Sequence, residues 1–201
     1  MDIINRIASV EHRERGQRTE LLIPAGELQL EATLELAPGA RGVVALLHAA
    51  SAERFSSRNL FAAQVLQQAG LATLQADLLT PGEEAAGGER PSEAVALLTS
   101  RIVAVVDWLT GESTTTHLSL GLFAGDTAAA AALAAAAERD ARVAAVVLRG
   151  GGLDPAEQAL RRPSAPALLI VPGFDEPEAM ARGSELASEF FVDHLVEHPG
   201  S

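Results

Sequence analysis

A chain of 201 residues is long enough for one domain with a substantial core and too short for two ordinary ones. It is 48% hydrophobic and 21% charged, a globular composition, and its net charge of -12 sets the global field against a nucleic-acid surface. With no cysteine, disulfides, thiolate nucleophiles and cysteine-held metals are excluded, and no unbroken apolar run reaches the ~18 residues of a membrane span. The opening stretch MDIINRIASVEHRER carries Asp2 and Arg6 within its apolar part and does not read as a secretory signal, so a cytoplasmic location is expected.

Ile3, Ile4, Ile7 and Val10 share one face of a short helix ending near Glu14, which either packs on its own domain or makes a homodimer or partner contact. Residues 1–17 are accordingly an amino-terminal arm and 18–201 a single domain. Two alternating segments, Thr19 to Pro24 and Leu28 to Leu36, flank Ala25-Gly26-Glu27 and predict an antiparallel hairpin. Val43 to Leu47 is a continuous apolar run, as in a strand covered on both faces. A polar loop from His48 to Ser57 precedes a helix over about 58–69 that stops at Gly70.

The next strand, Leu71 to Ala76, ends at Asp77, and Thr80 to Arg90 reads as a long loop. Ser92 is positioned to cap a helix running to Leu109. Leu118 to Phe123 has the length of a buried strand and is followed, past Ala124 to Thr127, by an alanine-rich run of the highest helix propensity. Val143 to Leu148 is a strand ending at Arg149, with a short helix expected near 155–160. Ala167 to Val171 is a further strand, ending in Pro172-Gly173-Phe174-Asp175. A helix over about 178–187 is expected to lead into Phe190-Phe191-Val192, with Asp193-His194 beyond.

Strands alternating with helices at this spacing predict an α/β fold of three layers: a mainly parallel sheet with an antiparallel N-terminal hairpin at its edge. Ligands of such sheets bind at the carboxyl ends of the strands. His48, Asp77, Asp126, Arg149, Asp175 and His194 all follow predicted strands closely. The tight strand-to-helix reversal has the shape of a nucleophile elbow, with Asp126 where the G-x-S-x-G signature has serine.

The order Asp126, Asp175, His194 is nucleophile, acid, base, the arrangement of α/β-hydrolases. Asp175 would orient His194, and His194 would activate a nucleophile or a water. The backbone N–H of Thr127, with one from Ala49 or Ala50, would hold a developing oxyanion. His48, Ser51 and Arg149 are candidates for contact with a small-molecule substrate, His48 chiefly as a structural hydrogen-bonding residue. Asp126 reads equally well as the N-cap of its helix, and His194 as a plain surface histidine. No two histidines have metal-ligand spacing, and neither a metal nor a cofactor is expected.

Several segments carry a resemblance: Leu47-His48-Ala49-Ala50-Ser51 with Ser57-Arg58-Asn59, Gln75 to Pro81, Gly121-Leu122-Phe123, Arg149-Gly150-Gly151, Leu169 to Pro177, and His194 to Glu197. In these the chain resembles dienelactone-hydrolase-like α/β-hydrolases, and within them the short subfamily sometimes found fused to phosphoribosyltransferases. The resemblance covers roughly Leu21 to the end and implies a compact sheet without a large lid and hydrolysis of a small ester, lactone or related substrate. No phosphoribosyltransferase motif is present.

The chain departs from that pattern at three points. Asp126 stands in place of the elbow serine or cysteine. His48-Ala49-Ala50-Ser51 lacks both glycines of the family's oxyanion loop, where alanine resists the positive φ that glycine allows. Only 19 positions separate Asp175 from His194 (194 − 175), and the usual C-terminal helix is absent. Carboxylate nucleophiles occur on this fold in haloalkane dehalogenases and epoxide hydrolases, but this chain has no lid tyrosine and places Thr127, not tryptophan, after the elbow. Two readings therefore stand: a hydrolase working through Asp126, and a catalytically silent scaffold that binds a small ligand or a protein partner.

Overall fold

In a computed structural model, residues 16–50, 53–86, 91–125, 128–150, 164–170 and 177–196 are described. The helix expected within 3–14 and the one near 155–160 lie outside them, as do Ser51, Asp126, Thr127 and Asp175.

The predicted hairpin is β1 (Gln17–Ala25) and β2 (Leu28–Leu36), paired antiparallel from Gln17–Leu36 to Ala25–Leu28. A two-residue turn joins them, and Gly26 takes the left-handed conformation (φ 68°) that such a turn demands. β3 (Gly42–His48), β4 (Ala72–Asp77), β5 (Ser119–Gly125), β6 (Val143–Arg149) and β7 (Ala167–Ile170) complete the sheet. Its order is β1-β2-β4-β3-β5-β6-β7; the pairs from β4 through β7 are parallel, while β2 joins β4 antiparallel.

Each strand alternates between two helical layers. Val43, Ala45 and Leu47 face α3 (Pro91–Gly111) and α4 (Ala128–Glu138), in one core with Leu98, Ile102 and the alanines of α4. Val44 and Leu46 face the other way, toward α1 (Ser57–Gln68) and α5 (Pro177–Leu195). The helix α3 is long and apolar enough to cross a membrane by length and composition alone. Leu98, Ile102, Val105, Val106 and Leu109 on it are buried against the sheet layer, and that packing accounts for its apolarity. Pro91 is its first residue, where proline's fixed φ suits the start of a helix.

The stretch read as a loop after Thr80 contains a short helix, α2 (Pro81–Ala86). Thr80 and Glu83 form a reciprocal capping box: the Thr80 N–H donates to Glu83 Oε2 (3.0 Å), and the Glu83 N–H to Thr80 Oγ1 (3.3 Å). Arg101 of α3 holds the same helix through Glu83 Oε1 at 2.7 Å.

The largest departure from expectation is at the C-terminus. Phe190-Phe191-Val192 is not extended; α5 runs unbroken from Pro177 to Leu195. Ser184, Ala187, Phe191 and Leu195 are its buried stripe, at helical spacing. Two glycines let this stripe lie close on the sheet. A Cβ at Gly121 would sit 2.5 Å from Phe191 Cε1, and one at Gly42 would sit 2.9 Å from Leu195 Cβ. Gly42 opens β3 and Gly121 lies near the start of β5, so the helix ends at the amino edge of the sheet.

Gly121→Ala should therefore lower stability by about 1–3 kcal/mol through overpacking against a fully buried ring. The measurement is the urea midpoint at unchanged slope. Adding Phe191→Leu should recover part of the loss, because neighbouring substitutions couple. A Gly121→Ala variant as stable as the parent would contradict this placement of α5.

Candidate functional site

His48, Asp77 and Arg149 are the last residues of β3, β4 and β6, so the carboxyl edge of the sheet carries the polar groups. All three are buried, with 5%, 3% and 8% of their surface exposed, and burial at that level requires partners. Asp77 is held by Arg54, whose NH1 pairs with Asp77 Oδ2 and whose backbone N–H reaches Oδ1 at 3.2 Å. Arg54 NH2 also meets Glu31 Oε2 of β2 at 2.7 Å. These contacts tie the segment after β3 to the neighbouring strands.

Asn59, in the first turn of α1, is the hub of the rest. Its Nδ2 donates to the Glu53 carbonyl (3.0 Å) and lies 3.1 Å from His48 Nδ1, while its Oδ1 accepts from Arg149 NH2 at 3.1 Å. Arginine only donates and a carbonyl only accepts, so these two neighbours fix the orientation of the amide. His48 Nδ1 is then an acceptor, and the proton of the neutral ring is on Nε2. That nitrogen faces Gln75 without reaching hydrogen-bond geometry. Burial, with the charges of Arg149, Arg54 and Arg58, pushes the His48 pKa down to about 3. His48 is a neutral structural ring, not a base.

Beside these residues a cavity of about 340 Å³ opens. His48, Ala49 and Ala50 at the end of β3, Gly125 at the end of β5 and Arg149 form its polar side, while Leu97 and Leu98 of α3 give an apolar wall. Glu53 and Glu84 also line it. The Ala50 N–H, one of the two expected oxyanion donors, lies 3.4 Å from Glu53 Oε2 and points at that carboxylate. β5 ends at Gly125 and α4 begins at Ala128, so two residues join strand to helix, as an elbow requires.

His194 is not part of this edge, and here the sequence expectation is corrected. It lies in the last turn of α5, next to Leu195 against Gly42, at the opposite end of the strands. Six residue steps along β5 separate Ser119 at that end from Gly125, a span of about 20 Å. The ring is exposed, packs on Phe190 with centroids 4.2 Å apart, and has Nδ1 2.7 Å from the Phe190 carbonyl. The structure thus gathers His48, Ala49, Ala50 and Arg149 around one cavity and leaves His194 outside it. Asn59 and Glu53 were not among the expected site residues; the signal available was an Asn one helical turn inside a Ser-capped helix start, facing the end of β3. Among the described residues no group of three His, Asp or Glu is placed to hold a metal ion.

A mainly parallel sheet in this order, covered on both faces, with its cavity over the strand ends, is an α/β-hydrolase type of structure. The solved dienelactone hydrolase of Anabaena variabilis is 38% identical to this chain, covers 90% of it and 99% of its own length, and superposes with a TM-score of 0.82. The chain belongs to the dienelactone hydrolase family. A dienelactone-hydrolase-like promiscuous phosphotriesterase from metagenomic libraries (15% identical, 90% and 99% covered, TM-score 0.66) shares the fold. So does an α/β serine hydrolase without lid from Xanthomonas campestris (18% identical, 83% and 77% covered, TM-score 0.59). A Mycobacterium tuberculosis protein named "Putative phosphoribosyl transferase" is 35% identical over 88% of this chain, which spans about half (46%) of that relative's length. No family model matches the chain.

The low His48 pKa has a consequence for stability. Between about pH 6.5 and 3 the unfolded chain binds a proton on this residue that the folded chain does not. Stability should fall as the pH drops through that window, by up to about 1.4 kcal/mol per pH unit from this group. His48→Gln should flatten the slope of unfolding free energy against pH between 6 and 4.5. An equally steep slope in that variant would show that the ring titrates normally.

Proposed function

We propose that this chain binds a small ester-, lactone- or acid-type molecule in the cavity over β3, β5 and β6, and that Asp126, Asp175 and His194 do not act together as a triad. The observation that carries this reading is the position of His194, about 20 Å along the sheet from the end of β5. A general base must come within hydrogen-bond reach of the group it deprotonates, directly or through one water. The Glu53 carboxylate facing the Ala50 N–H adds to it, because a fixed negative charge there opposes a developing oxyanion. The cavity volume and its mixture of apolar wall and few polar groups suit a small organic ligand.

A second reading has its own support. The two-residue connection from β5 to α4 keeps the elbow spacing, and Asp126 falls within it. In that reading Asp126 is the nucleophile of a hydrolase, with the base supplied from elsewhere. Transferase activity belongs to neither reading, since the chain matches only about half of the relatives whose name carries it.

One set of variants separates the two. Asp126→Ser should create no esterase activity on p-nitrophenyl acetate, because a serine without a base remains protonated. His194→Ala should leave ligand-induced thermal stabilisation unchanged. Turnover of an ester or lactone by the parent chain that Asp126→Asn abolishes would overturn the binding reading in favour of the enzyme, and its loss in His194→Ala as well would restore the triad.

A further inference from the structure

We infer that Glu53 sets the ligand preference of the cavity: its carboxylate takes the Ala50 N–H, so that neutral carbonyl compounds are accepted and organic anions refused. This rests on the binding reading above and narrows its ligand class to esters, lactones and other uncharged carbonyl compounds. Ala50 and Glu53 both line the cavity, and the Ala50 N–H donates to Glu53 Oε2 at 3.4 Å. A backbone N–H just past the end of a parallel strand is suited to receiving a ligand's oxygen. Here the chain supplies that oxygen itself. The contact is long for an N–H···O hydrogen bond, and the Glu53 side chain keeps 29% of its surface exposed, so the carboxylate retains acceptor capacity beside the cavity. A carboxylate only accepts, so an anionic ligand placed there meets an acceptor and a like charge.

The carboxylate stands there because its backbone is held. Glu53 opens a single 3-10 turn (Glu53–Phe55), and its carbonyl accepts from the Ser56 N–H at 2.9 Å and from Asn59 Nδ2 at 3.0 Å. The next residue, Arg54, is tied to β4 through Asp77 and to β2 through Glu31. The main chain at Glu53 cannot retreat from the cavity without breaking these bonds, several of which are buried. A ligand therefore meets the carboxylate already in place, at no further cost in ordering it.

The neighbouring charges leave this preference in force. Arg58 NH2 stands 3.8 Å from Glu53 Oε1, outside hydrogen-bond distance, and its side chain is 35% exposed, so water screens the pair. Arg149 also lines the cavity and donates to Asn59 Oδ1 at 3.1 Å. Its charge is the same in the parent chain and in every Glu53 variant, so a difference between them reads Glu53. His48 is a neutral ring and adds no charge. The overall charge of -12 adds to the repulsion of an anion. A neutral carbonyl compound meets no such repulsion, and Leu97 and Leu98 give its apolar part a wall.

The test compares phenylacetone and phenylacetate on the full chain by calorimetry. The two share a benzyl group and a carbonyl and differ in a methyl group against a charged oxygen, and the ketone cannot be hydrolysed. The ketone is expected to bind the parent chain about tenfold or more tightly than the acid. Glu53→Gln keeps the size and removes the charge. It should bring the ratio close to one by raising the affinity for phenylacetate, a gain that general loss of structure does not produce. Glu53→Ala also frees the Ala50 N–H and should raise that affinity at least as far. Acid binding to the parent as tightly as the ketone overturns the inference and leaves the binding cavity standing. A ratio that neither Glu53 variant changes also overturns it. Failure of ketone and acid alike to bind the parent overturns the binding reading itself, and the comparison on the parent chain needs no variant to fold.

Discussion

The close approach of α5 to the sheet, made possible by Gly42 and Gly121, decides where the end of this chain goes. Phe191 is fully buried and stands where a Cβ on Gly121 would be, and Leu195 does the same over Gly42. A helix seated this way runs opposite to the parallel strands, so every residue near its C-terminus is delivered to their amino edge. The contact is apolar and blind to chemistry. It nevertheless removes the imidazole of His194 from the edge at which α/β sheets bind their ligands. Of the eighteen residues between Asp175 and His194, all but Glu176 belong to this one helix, which leaves no length between them for a further strand.

At the other edge, order comes from polar contacts. Arg54 joins β2 and β4 through Glu31 and Asp77, and Asn59 joins β3, α1 and β6 through His48, the Glu53 carbonyl and Arg149. Each of these groups is costly to bury alone. Their mutual contacts tie Glu53 and Arg54, which follow β3, to β2, β4 and α1.

Much of this was legible in the sequence, for reasons that can be traced. The hairpin could be read because Gly26 marks a turn between alternating segments, and β3 because Val43 to Leu47 has no polar face to expose. The end of α1 could be read because Gly70 takes a left-handed φ of 80°. Helix α2 was missed because proline, glycine and glutamate dominate its composition, although Thr80 and Glu83 spelled out a capping box. The strand-like reading of Phe190-Phe191-Val192 followed local propensity, and propensity is a weak prior against packing. The spacing of Ser184, Ala187, Phe191 and Leu195 was the stronger signal, since it continues one helical face through the aromatic pair. The cluster of residues after strands located the edge correctly for His48, Asp77 and Arg149, and misplaced His194 because that assignment depended on a strand that is a helix.

The same electrostatics that order the carboxyl edge also limit what it can do. Proton transfer at neutral pH needs a group that titrates near it, within reach of the reacting atoms. Among the described residues lining the cavity the imidazole is that of His48, and its setting makes it unfit. Burial and three arginines hold its pKa near 3, and Asn59 occupies the lone pair that would take a proton. Arg54 is matched by Asp77 and Glu31, Arg58 stands 3.8 Å from Glu53, and Arg149 donates to Asn59, so the charges that keep the His48 ring neutral are themselves held in place by the polar contacts of this edge.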